Sequence, residues 1–582
     1  MSQRIFRVLV LLSVACIPLE GCRSGTEVQA GAAEPRILRL SMGSGDMKTL
    51  DPALADDVAS AQVVREMFVG LTRDDEQTGA ILPGMAESWD IAEDGRAYTF
   101  HLRSGIPWVA WDGSSVVEVR DCQDPPAIRM VTAEDFVYGI RRTLDPDTGA
   151  SYAYVLANAI EGAEAYAFGA GVPEDVRVKA SDLFTLEIVF KQNAAYNPAI
   201  IGLWFASAQP KWLIEGDECT QPSQDGWTEP GRSQSYGPFA LTSWIHDASL
   251  AIVRNPYWPG IESSPQARID EVSWVMVDEA GSLSEYEMGN LDSVAVPMGD
   301  VDRIRTHPIY SKELDIAPIL CSTYYAFNTQ AAFVDDARVR RALSLAIDRR
   351  SLMENVAEFG QEPARWFARP GLDAAPALEQ FPDLGIGFDP EAAKRELQGY
   401  LNEKGRTPAD LDLTMMFTNI QSEHKFATAV QAMWQEQLGL EVKLDSQEWN
   451  FYLDTINHPE YTPQIFVAGW CADYPDANNF TRDVFAKGGA ANPADGGGVN
   501  WLNPEFERLV AQAALERDRQ VRTRLYAEAE EILVVTDAVI APLFWGSRMT
   551  LTKPYVERTL GVSGAESFEK WDILPSAGPT DG

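Results

Sequence analysis

An α/β fold, in which helices cover largely parallel sheets, is predicted for this chain by three features of its sequence. Helix and strand signals alternate along most of its length. One stretch after residue 422 changes from helical to strand periodicity across a single glycine, as a helix-then-strand unit does. No internal repeat, low-complexity tract or second apolar run of membrane-spanning length interrupts the pattern.

The first strands and one helix have clear signals. Residues 36–42 alternate apolar and polar side chains, and residues 98–103 do the same after a turn at 93–95. A helix is predicted after Asp335 and Asp336, whose side chains can cap it. The arginines outside its apolar face are expected in solvent: Arg340, Arg341, Arg349 and Arg350.

Three further helices carry start signals. Asp389-Pro390-Glu391 predicts one, because proline suits the first helical position. Ser422 opens another, which Gly439 ends before an alternating strand over 440–444. Asn503-Pro504 begins a third helical region.

The composition is that of a globular protein with an unusual charge. The chain has 582 residues, of which 45% are hydrophobic and 23% charged, enough for several cores. Its 86 acidic and 48 basic side chains give a formal net charge of -38. This field repels nucleic-acid phosphates and no Lys/Arg-rich run offsets it, so we expect no nucleic-acid partner. We interpret the acidity mainly as a solvated surface.

Residues 1–21 have the pattern of an export signal: two arginines precede an apolar run that is too short to span a bilayer. The segment Leu19-Glu20-Gly21-Cys22 resembles a bacterial lipobox, which implies cleavage before Cys22 and lipidation of its sulfur. Glu20 is unusual in such a motif, so simple secretion is the alternative. Residues 22–35, rich in Gly, Ala and Ser, would form a flexible tether.

Four cysteines remain in the body of the chain: Cys122, Cys219, Cys321 and Cys471. An even number outside the cytoplasm indicates disulfides, and the sequence alone allows three pairings. Metal ligation is the alternative, but none of the four lies in a CxxC pair and the chain has only five His. We therefore expect neither a metal nor another cofactor.

The sequence contains no recognisable catalytic motif. GxSxG, HExxH, P-loop and GxGxxG patterns are all missing from it. Ser567-Phe-Glu-Lys570 spells SxxK, but it lies near the C-terminus without the partner motifs that such enzymes carry. We predict no catalytic residues and no enzyme activity, with an exported hydrolase as the remaining alternative.

The most informative segment is 469–480, which follows an apolar strand with an acid, a cysteine, aromatics and small residues. Asp473 lies there between Trp470 and Tyr474, where its carboxylate would be partly desolvated. Such a charge needs a cation beside it. The residues alone leave open whether that cation is an internal Arg or the ammonium group of a ligand.

This segment is similar to the ligand-binding signature of the oligopeptide-binding proteins, the extracytoplasmic receptors of bacterial ABC importers. Other stretches resemble the same family, in the same order, across nearly all of the chain after the signal. They are Leu50-Asp-Pro52, Met67-Phe-Val-Gly-Leu71, Ala86-Glu-Ser-Trp89, 94–105, Trp108, 132–142, Tyr236-Gly-Pro-Phe239, 254–258 and 339–348. Receptors for dipeptides, nickel complexes and sugars share this scaffold, so a metal chelate or an oligosaccharide is the alternative ligand.

The resemblance implies a two-lobed clamshell with an additional domain and two crossover strands that act as a hinge. Lobe I would be discontinuous and comprise 36–72, 188–316 and 541–582. Residues 73–187 would form the additional domain II, and 317–540 would form lobe II. The ligand would be enclosed between the lobes.

The resemblance also implies binding roles. Asp473 would pair with the α-ammonium group of a peptide, a charge-assisted bond to a group that every free peptide N-terminus carries. Val58, Gly469 and the backbone of Cys471 would be strand positions that hydrogen-bond the peptide main chain whatever its side chains. Aromatic side chains would line the pocket, with ordinary core packing as the alternative for each: Trp449, Tyr152 and Tyr324.

Disulfide pairing follows from the same resemblance. Cys321 and Cys471 match a pair that is disulfide-linked in family members. By elimination, a second bridge would join Cys122 and Cys219.

Two departures from the family concern the ligand's C-terminus. Some members use an Arg six residues before the key Asp to bind the peptide's carboxylate, and Val467 occupies that place here. A pocket His with the same role falls beside Glu423 and His424 in an ambiguous register. How this chain would bind the carboxylate is therefore left open.

These observations predict a monomeric extracytoplasmic receptor without chemistry of its own. It would be held at the cell membrane by a lipid on Cys22, or lie in the periplasm. It would close on an oligopeptide by hinge motion and deliver the peptide to the permease subunits of an ABC transporter.

Overall fold

The computed structural model describes residues 35–575, apart from 44, 123, 125, 224, 225, 358, 359, 495 and 562–565. The predicted signal peptide, the predicted lipidation site Cys22 and all but the last residue of the predicted tether lie outside the described residues. From Arg36 onward the described residues form one compact unit. None of the described helices combines the length and the apolar composition needed to cross a bilayer.

Strands occur throughout the described chain. They are β1 (Ile37–Ser41), β2 (Thr72–Asp74), β3 (Ile81–Pro83), β4 (Ala86–Ile91), β5 (Ala97–Leu102), β6 (Val109–Trp111), β7 (Val116–Glu118), β8 (Val178–Asp182), β9 (Thr185–Val189), β10 (Gln234–Ser235), β11 (Phe239–Ile245), β12 (Ser249–Arg254), β13 (Glu271–Val275), β14 (Ser293–Ala295), β15 (Leu314–Phe327), β16 (Glu362–Pro363), β17 (Leu413–Thr418), β18 (Val442–Gln447), β19 (Ile465–Cys471), β20 (Ile540–Thr552), β21 (Val556–Glu557) and β22 (Asp572–Ile573).

Helices alternate with these strands. They are α1 (Val58–Met67), α2 (Ala133–Leu144), α3 (Ala153–Ala159), α4 (Ala163–Ala167), α5 (Asn197–Ile200), α6 (Lys211–Ile214), α7 (Glu279–Met288), α8 (Val301–Thr306), α9 (Tyr310–Glu313), α10 (Ala337–Leu345), α11 (Arg349–Asn355), α12 (Pro390–Lys404), α13 (Gln421–Leu438), α14 (Trp449–Asn457), α15 (Ala477–Phe485), α16 (Pro504–Leu515) and α17 (Arg519–Glu531). The helix starts predicted at Asp336, Asp389 and Asn503 are confirmed, because each of these side chains accepts a hydrogen bond from the first turn of its helix.

The largest sheet has the strand order β11-β12-β13-β1-β14-β20-β15-β19-β17-β18. It is mixed, so the prediction of largely parallel sheets is wrong. The pairs β13–β1, β1–β14, β19–β17 and β17–β18 are parallel, whereas the remaining neighbours in this order are antiparallel. The connection from β11 to β12 is three residues long, and such a short turn can join only antiparallel strands.

Two long strands, β15 and β20, run through both halves of this sheet. Near Leu551, β20 pairs with β14, whereas from Cys321 onward β15 pairs with β19. The register of β15 and β20 shifts between Pro318 and Ser322. They thus cross between the two halves, as the crossover strands of the predicted two-lobed fold would.

The half of the sheet that contains β19 has helices on both faces. Successive residues of a strand point to opposite faces, and Tyr324 of β15 accordingly packs in the core formed with α15, α16 and α17. Its neighbour Tyr325 packs in the core formed with α10, α12 and α13. This half is therefore an α/β/α layer structure.

A separate antiparallel sheet, β4-β5-β9-β8, packs against α2 and lies almost entirely within the range predicted for domain II. The predicted boundary at 187 falls inside β9. The boundaries of the lobes and of domain II stay predictions.

Two arginines of the α10–α11 region are buried, and the prediction that they lie in solvent is wrong. The guanidinium group of Arg340 donates to the carbonyl oxygens of Val334, Asp537 and Ala538. Arg349 donates to the carbonyl of Pro542, and burial lowers its pKa to about 9. Backbone carbonyls therefore replace the water that an exposed guanidinium would bind.

Candidate ligand-binding cleft

A cavity of 820 Å³ opens between parts of the chain that are far apart in sequence. One wall is formed by α3 and residues 191–200, and the other by residues 470–494. Aromatic rings line both walls: Tyr154, Tyr196, Trp470 and Tyr474. The charged side chains of the cavity are Asp473, Asp483, Arg482, Lys191 and Lys487.

Strand β19 places Asp473 at the cavity. Residues 465–467 of this strand are buried, and the strand ends at Cys471, two residues before Asp473. The chain then turns, and Asp476 caps α15 by accepting a hydrogen bond from the backbone of Asn478 at 2.8 Å. Asp473 is thus held in a short connection between a buried strand and a capped helix.

Asn479, in the first turn of α15, fixes the carboxylate of Asp473. Its side-chain oxygen accepts hydrogen bonds from the backbone N–H of Asp473 at 2.9 Å and from Trp470 Nε1 at 3.1 Å. Its amide nitrogen donates to Asp473 Oδ2 at 3.2 Å and to Asp483 Oδ2 at 3.3 Å. One amide therefore orients two carboxylates of the cavity.

Among the described residues, no Lys, Arg or His forms an ion pair with Asp473. Burial raises the pKa of its carboxyl group, and the hydrogen bond from Asn479 opposes that shift. Burial together with the charge of Asp473 raises the pKa of Tyr152 to about 12. The site therefore presents to the cavity a half-buried carboxylate that forms no ion pair with any described side chain.

Asp483 and Arg482 lie one turn further along α15. Asp483 accepts hydrogen bonds from the hydroxyl of Tyr474 at 2.6 Å and from Asn478 at 3.0 Å. Burial raises the pKa of Asp483 to about 6. Arg482 donates from Nη1 to the hydroxyl of Tyr196 at 3.1 Å, across the cavity from α15.

The edge of β19 next to Asp473 is open. β17 pairs with β19 only at Ile465 and Phe466, and no described strand continues along that edge. The hydroxyl of Tyr452 donates to the carbonyl of Val467. Gly469 and Cys471 belong to the open part of β19. An unpaired edge can accept an extended chain through main-chain hydrogen bonds.

Val58 does not occupy a strand, so that part of the prediction is wrong. It is the first residue of α1, because the side chain of Asp57 accepts a hydrogen bond from the backbone of Ser60 at 2.8 Å and thereby caps a helix. The side chain of Val58 is 88% exposed.

The three predicted aromatic residues have different environments. Tyr152 stacks on Tyr154 of the cavity wall, with 6.2 Å between ring centroids. Trp449 begins α14 and is half exposed. Tyr324 is 2% exposed and packs against Phe367 and Phe485, which is the core alternative considered above. Their roles toward a ligand stay predictions.

Two disulfides are present, between Cys321 and Cys471 and between Cys122 and Cys219. The first is the pairing that the resemblance implied, and the second is the one predicted by elimination. The first joins β15 to β19 at directly opposed positions, close to Asp473. Cys122, Asp217 and Cys219 are near enough to one another to suggest a metal site, but the bonded sulfur atoms are not thiolates and cannot serve as thiolate ligands.

Some family members bind the peptide's carboxylate with an Arg or a His. The residues found at or beside those positions in this chain do not line the cavity. Val467 is buried in the sheet. Glu423 accepts hydrogen bonds from the backbone and side chain of Thr418, and His424 packs on the ring of Phe417.

Sequence reasoning missed several residues of the wall. Asn479, Arg482, Asp483 and Ala486 all line the cavity, and they follow the spacing i, i+3, i+4 and i+7. That spacing marks one face of a helix, so a helix assigned from the capping residue Asp476 would have placed them together.

A two-lobed α/β fold with a cavity that offers a carboxylate, aromatic walls and an open strand edge defines a ligand-binding protein. The sequence matches the family described as "Bacterial extracellular solute-binding proteins, family 5 Middle" over residues 80–492. The chain belongs to this family, the solute-binding proteins of ABC importers, as the resemblance predicted.

Relatives match it along nearly their whole length. The oligopeptide-binding protein OppA of Bacillus subtilis (strain 168) is 32% identical over 93% of this chain and 94% of its own length. The periplasmic oligopeptide-binding protein OppA of Escherichia coli (strain K12) is 30% identical over 91% of each chain. The unliganded open form of the periplasmic murein tripeptide-binding protein MppA superposes with a TM-score of 0.74 at 26% identity, covering 93% of this chain and 98% of that one.

Proposed function

We propose that this protein is an extracytoplasmic receptor that binds oligopeptides in the cleft at Asp473 and delivers them to the permease of an ABC importer. One observation carries the proposal: Asp473 is a half-buried carboxylate at a cavity and has no cationic partner among the described residues. The α-ammonium group of a peptide supplies the missing charge.

Two further observations support a peptide ligand. The open edge of β19 at Gly469 and Cys471 can bind a peptide main chain as an added strand, whatever its side chains. The relatives from Bacillus subtilis and Escherichia coli that match the sequence at 32% and 30% identity are both named oligopeptide-binding proteins. Hinge motion of β15 and β20 would close the lobes over the ligand.

The proposal is tested by comparing Ala-Ala-Ala with its N-acetylated form in calorimetric titrations of the wild type and of Asp473→Asn. Asn is isosteric and can still accept the hydrogen bond from Asn479. The substitution should weaken Ala-Ala-Ala by about 10- to 100-fold, the value of a charge-assisted hydrogen bond, and should change binding of the acetylated peptide little.

Asp302→Asn is the matched control, because Asp302 is exposed on α8. It should bind both peptides like the wild type. Equal affinity of Asp473→Asn and the wild type for Ala-Ala-Ala would contradict the role of Asp473. Thermal stabilisation by metal chelates or oligosaccharides, with none by peptide pools at any concentration, would contradict the peptide ligand itself.

The proposed receptor acts at the membrane surface as a monomer, held by a lipid on Cys22. The lipobox-like segment before Cys22 supports this anchoring. Mass spectrometry of the N-terminal peptide should find a diacylglycerol-modified Cys22. An unmodified N-terminus at Cys22, or cleavage at another position, would favour simple secretion.

A further inference from the structure

One face of helix α15 lines the cavity. Besides the residue that holds Asp473, this face carries a cationic side chain. Asn479, which holds Asp473, is followed three residues later by Arg482 on the same face. Three residues of α-helix rise about 4.5 Å. Arg482 therefore lies about one helical turn beyond Asn479, on the same cavity-facing side of α15.

Burial lowers the pKa of Arg482, but neighbouring groups that include Tyr196 and Asp483 outweigh this effect and raise it, so the guanidinium group is charged. Within the part of the chain that the structure describes, its hydrogen bond runs to the neutral hydroxyl of Tyr196, and no carboxylate forms an ion pair with it. The adjacent carboxylate of Asp483 is instead held by Tyr474, Asn478 and Asn479. A guanidinium group carries five N–H donors, so most of those of Arg482 remain free for a ligand.

The other cations of the wall are placed differently. Lys191 forms an ion pair with Glu164 at 2.5 Å. Lys487 is exposed and donates to the carbonyl of Pro493 at 3.2 Å. Arg482 is therefore the described cation that lies on the same helix face as Asn479 and forms no ion pair with a carboxylate.

We propose that Arg482 binds a carboxylate that the ligand carries close to its α-ammonium group. The inference rests on the proposed function, since Asp473 would hold that ammonium. Guanidinium suits the task because its planar fork matches the two oxygens of a carboxylate. Two ligand classes offer this chemistry: peptides whose first residue is Asp or Glu, and dipeptides, whose C-terminal carboxylate lies one residue from the ammonium.

Four ligands separate the two sources of the carboxylate. Glu-Ala-Ala-amide and Gln-Ala-Ala-amide differ only in the charge of the first side chain. Ala-Ala and Ala-Ala-amide differ only in the C-terminal charge. In the wild type, Glu-Ala-Ala-amide should bind at least about tenfold more tightly than Gln-Ala-Ala-amide, or Ala-Ala at least about tenfold more tightly than Ala-Ala-amide. This factor is expected for a hydrogen bond to a charged group.

Arg482→Gln should abolish that preference while changing the affinity for the neutral ligands less than about threefold. Arg482→Lys keeps the positive charge and should retain a reduced preference. Arg508→Gln is the matched control, because Arg508 lies exposed on α16 and pairs with Glu505 at 2.7 Å. It should behave like the wild type.

The comparison separates recognition from a structural role. If Arg482 only held Tyr196 in place, Arg482→Gln would weaken acidic and neutral ligands alike, and the inference would be overturned. Equal binding of acidic and neutral partners by the wild type would also overturn it, while leaving the proposed function intact. Failure of every peptide to bind would instead overturn the proposed function and this inference with it.

Discussion

Arg522 shows how this fold accommodates a buried charge near the cleft. Its guanidinium group is 1% exposed and donates to both oxygens of Asp476, at 2.6 and 2.7 Å. It also donates to the carbonyl of Ala513 at 3.0 Å and lies over the ring of Tyr526. Because Asp476 also caps α15, the pair joins α17 to the start of the helix that carries Asn479.

Removing the negative charge of this pair should destabilise the protein strongly. Asp476→Asn preserves a capping residue but leaves the buried Arg522 with only the half-exposed carboxylate of Asp373, at 3.2 Å, as a counter-ion. We expect the free energy of unfolding to fall by about 2–3 kcal/mol in urea titrations. Glu505→Gln, which breaks the exposed pair with Arg508, should cost about 1 kcal/mol or less. Similar small losses in both variants would contradict the structural role of Asp476.

Individual residues were predictable where their neighbours in the sequence determine their environment. Asp473 follows an apolar strand and stands between aromatics, and it is half buried as expected. Arg340 and Arg349 were placed wrongly because their partners come from the distant residues 537–542. Helical periodicity contains no information about such long-range contacts.

Two helical glycines show how packing decides the effect of the same substitution. A Cβ atom on Gly139 of α2 would lie 2.1 Å from the carbonyl oxygen of Ser207, a backbone atom that cannot rotate away. A Cβ atom on Gly399 of α12 would meet nothing within 4 Å. Close approach of another segment thus explains glycine at the first position but not at the second.

Gly399→Ala should stabilise the protein by about 0.5–1 kcal/mol, because alanine loses less backbone entropy in a helix interior. Gly139→Ala should destabilise it by about 1–3 kcal/mol, because the added methyl group forces the backbone near Ser207 to move. Chemical denaturation of the two variants tests this directly. Stabilisation in both would show that α2 and the segment at Ser207 do not pack as described.

Elements with strong local end signals were predicted well. Asp389-Pro390 begins α12, and Gly439 follows α13 in the left-handed conformation at φ 69°. Val58 was misassigned because the resemblance implied a strand there, whereas Asp57 caps a helix. A cap is a local interaction, so the sequence itself contains the signal for this helix.

The whole fold was predictable through resemblance and not through periodicity. Periodicity alone indicated largely parallel sheets, whereas β15 and β20 impose antiparallel pairing at the centre of the largest sheet. Strand pairing between residues more than 200 positions apart leaves no local signal. The cavity brings α3 on one wall close to residues after β19 on the other. Periodicity cannot predict this arrangement either, because the two segments are far apart in the sequence.

Several buried carboxyl groups bind protons more tightly in the folded protein than in the unfolded chain. Burial raises the pKa of Asp135 and Asp483 to about 6 and that of Glu530 to about 7. In an unfolded chain such groups titrate near pH 4. Carboxyl groups with a lowered pKa, such as Asp56 beside Lys48, bind protons less tightly in the folded protein than in the unfolded chain. Their effect on stability is confined to pH values below about 4.

Between about pH 4 and pH 7 the folded protein therefore holds more protons than the unfolded chain, and its free energy of unfolding falls as pH rises. Repulsion within a chain of net charge -38 acts in the same direction, because protonation relieves it. We expect a higher melting temperature at pH 5.5 than at pH 8 by differential scanning calorimetry. A higher melting temperature at pH 8 would contradict the burial of these carboxyl groups.

Glu530→Gln separates the contribution of one buried group from the effect of net charge. Glu530 accepts hydrogen bonds from the backbone N–H groups of Phe367 and Ala368, at 3.0 and 2.6 Å. The uncharged variant should show a smaller difference in melting temperature between the two pH values. Glu441→Gln removes the same formal charge from an exposed side chain and should retain the wild-type difference. Equal pH dependence in both variants would assign the effect to overall charge repulsion instead of to the desolvated carboxyl group at Glu530.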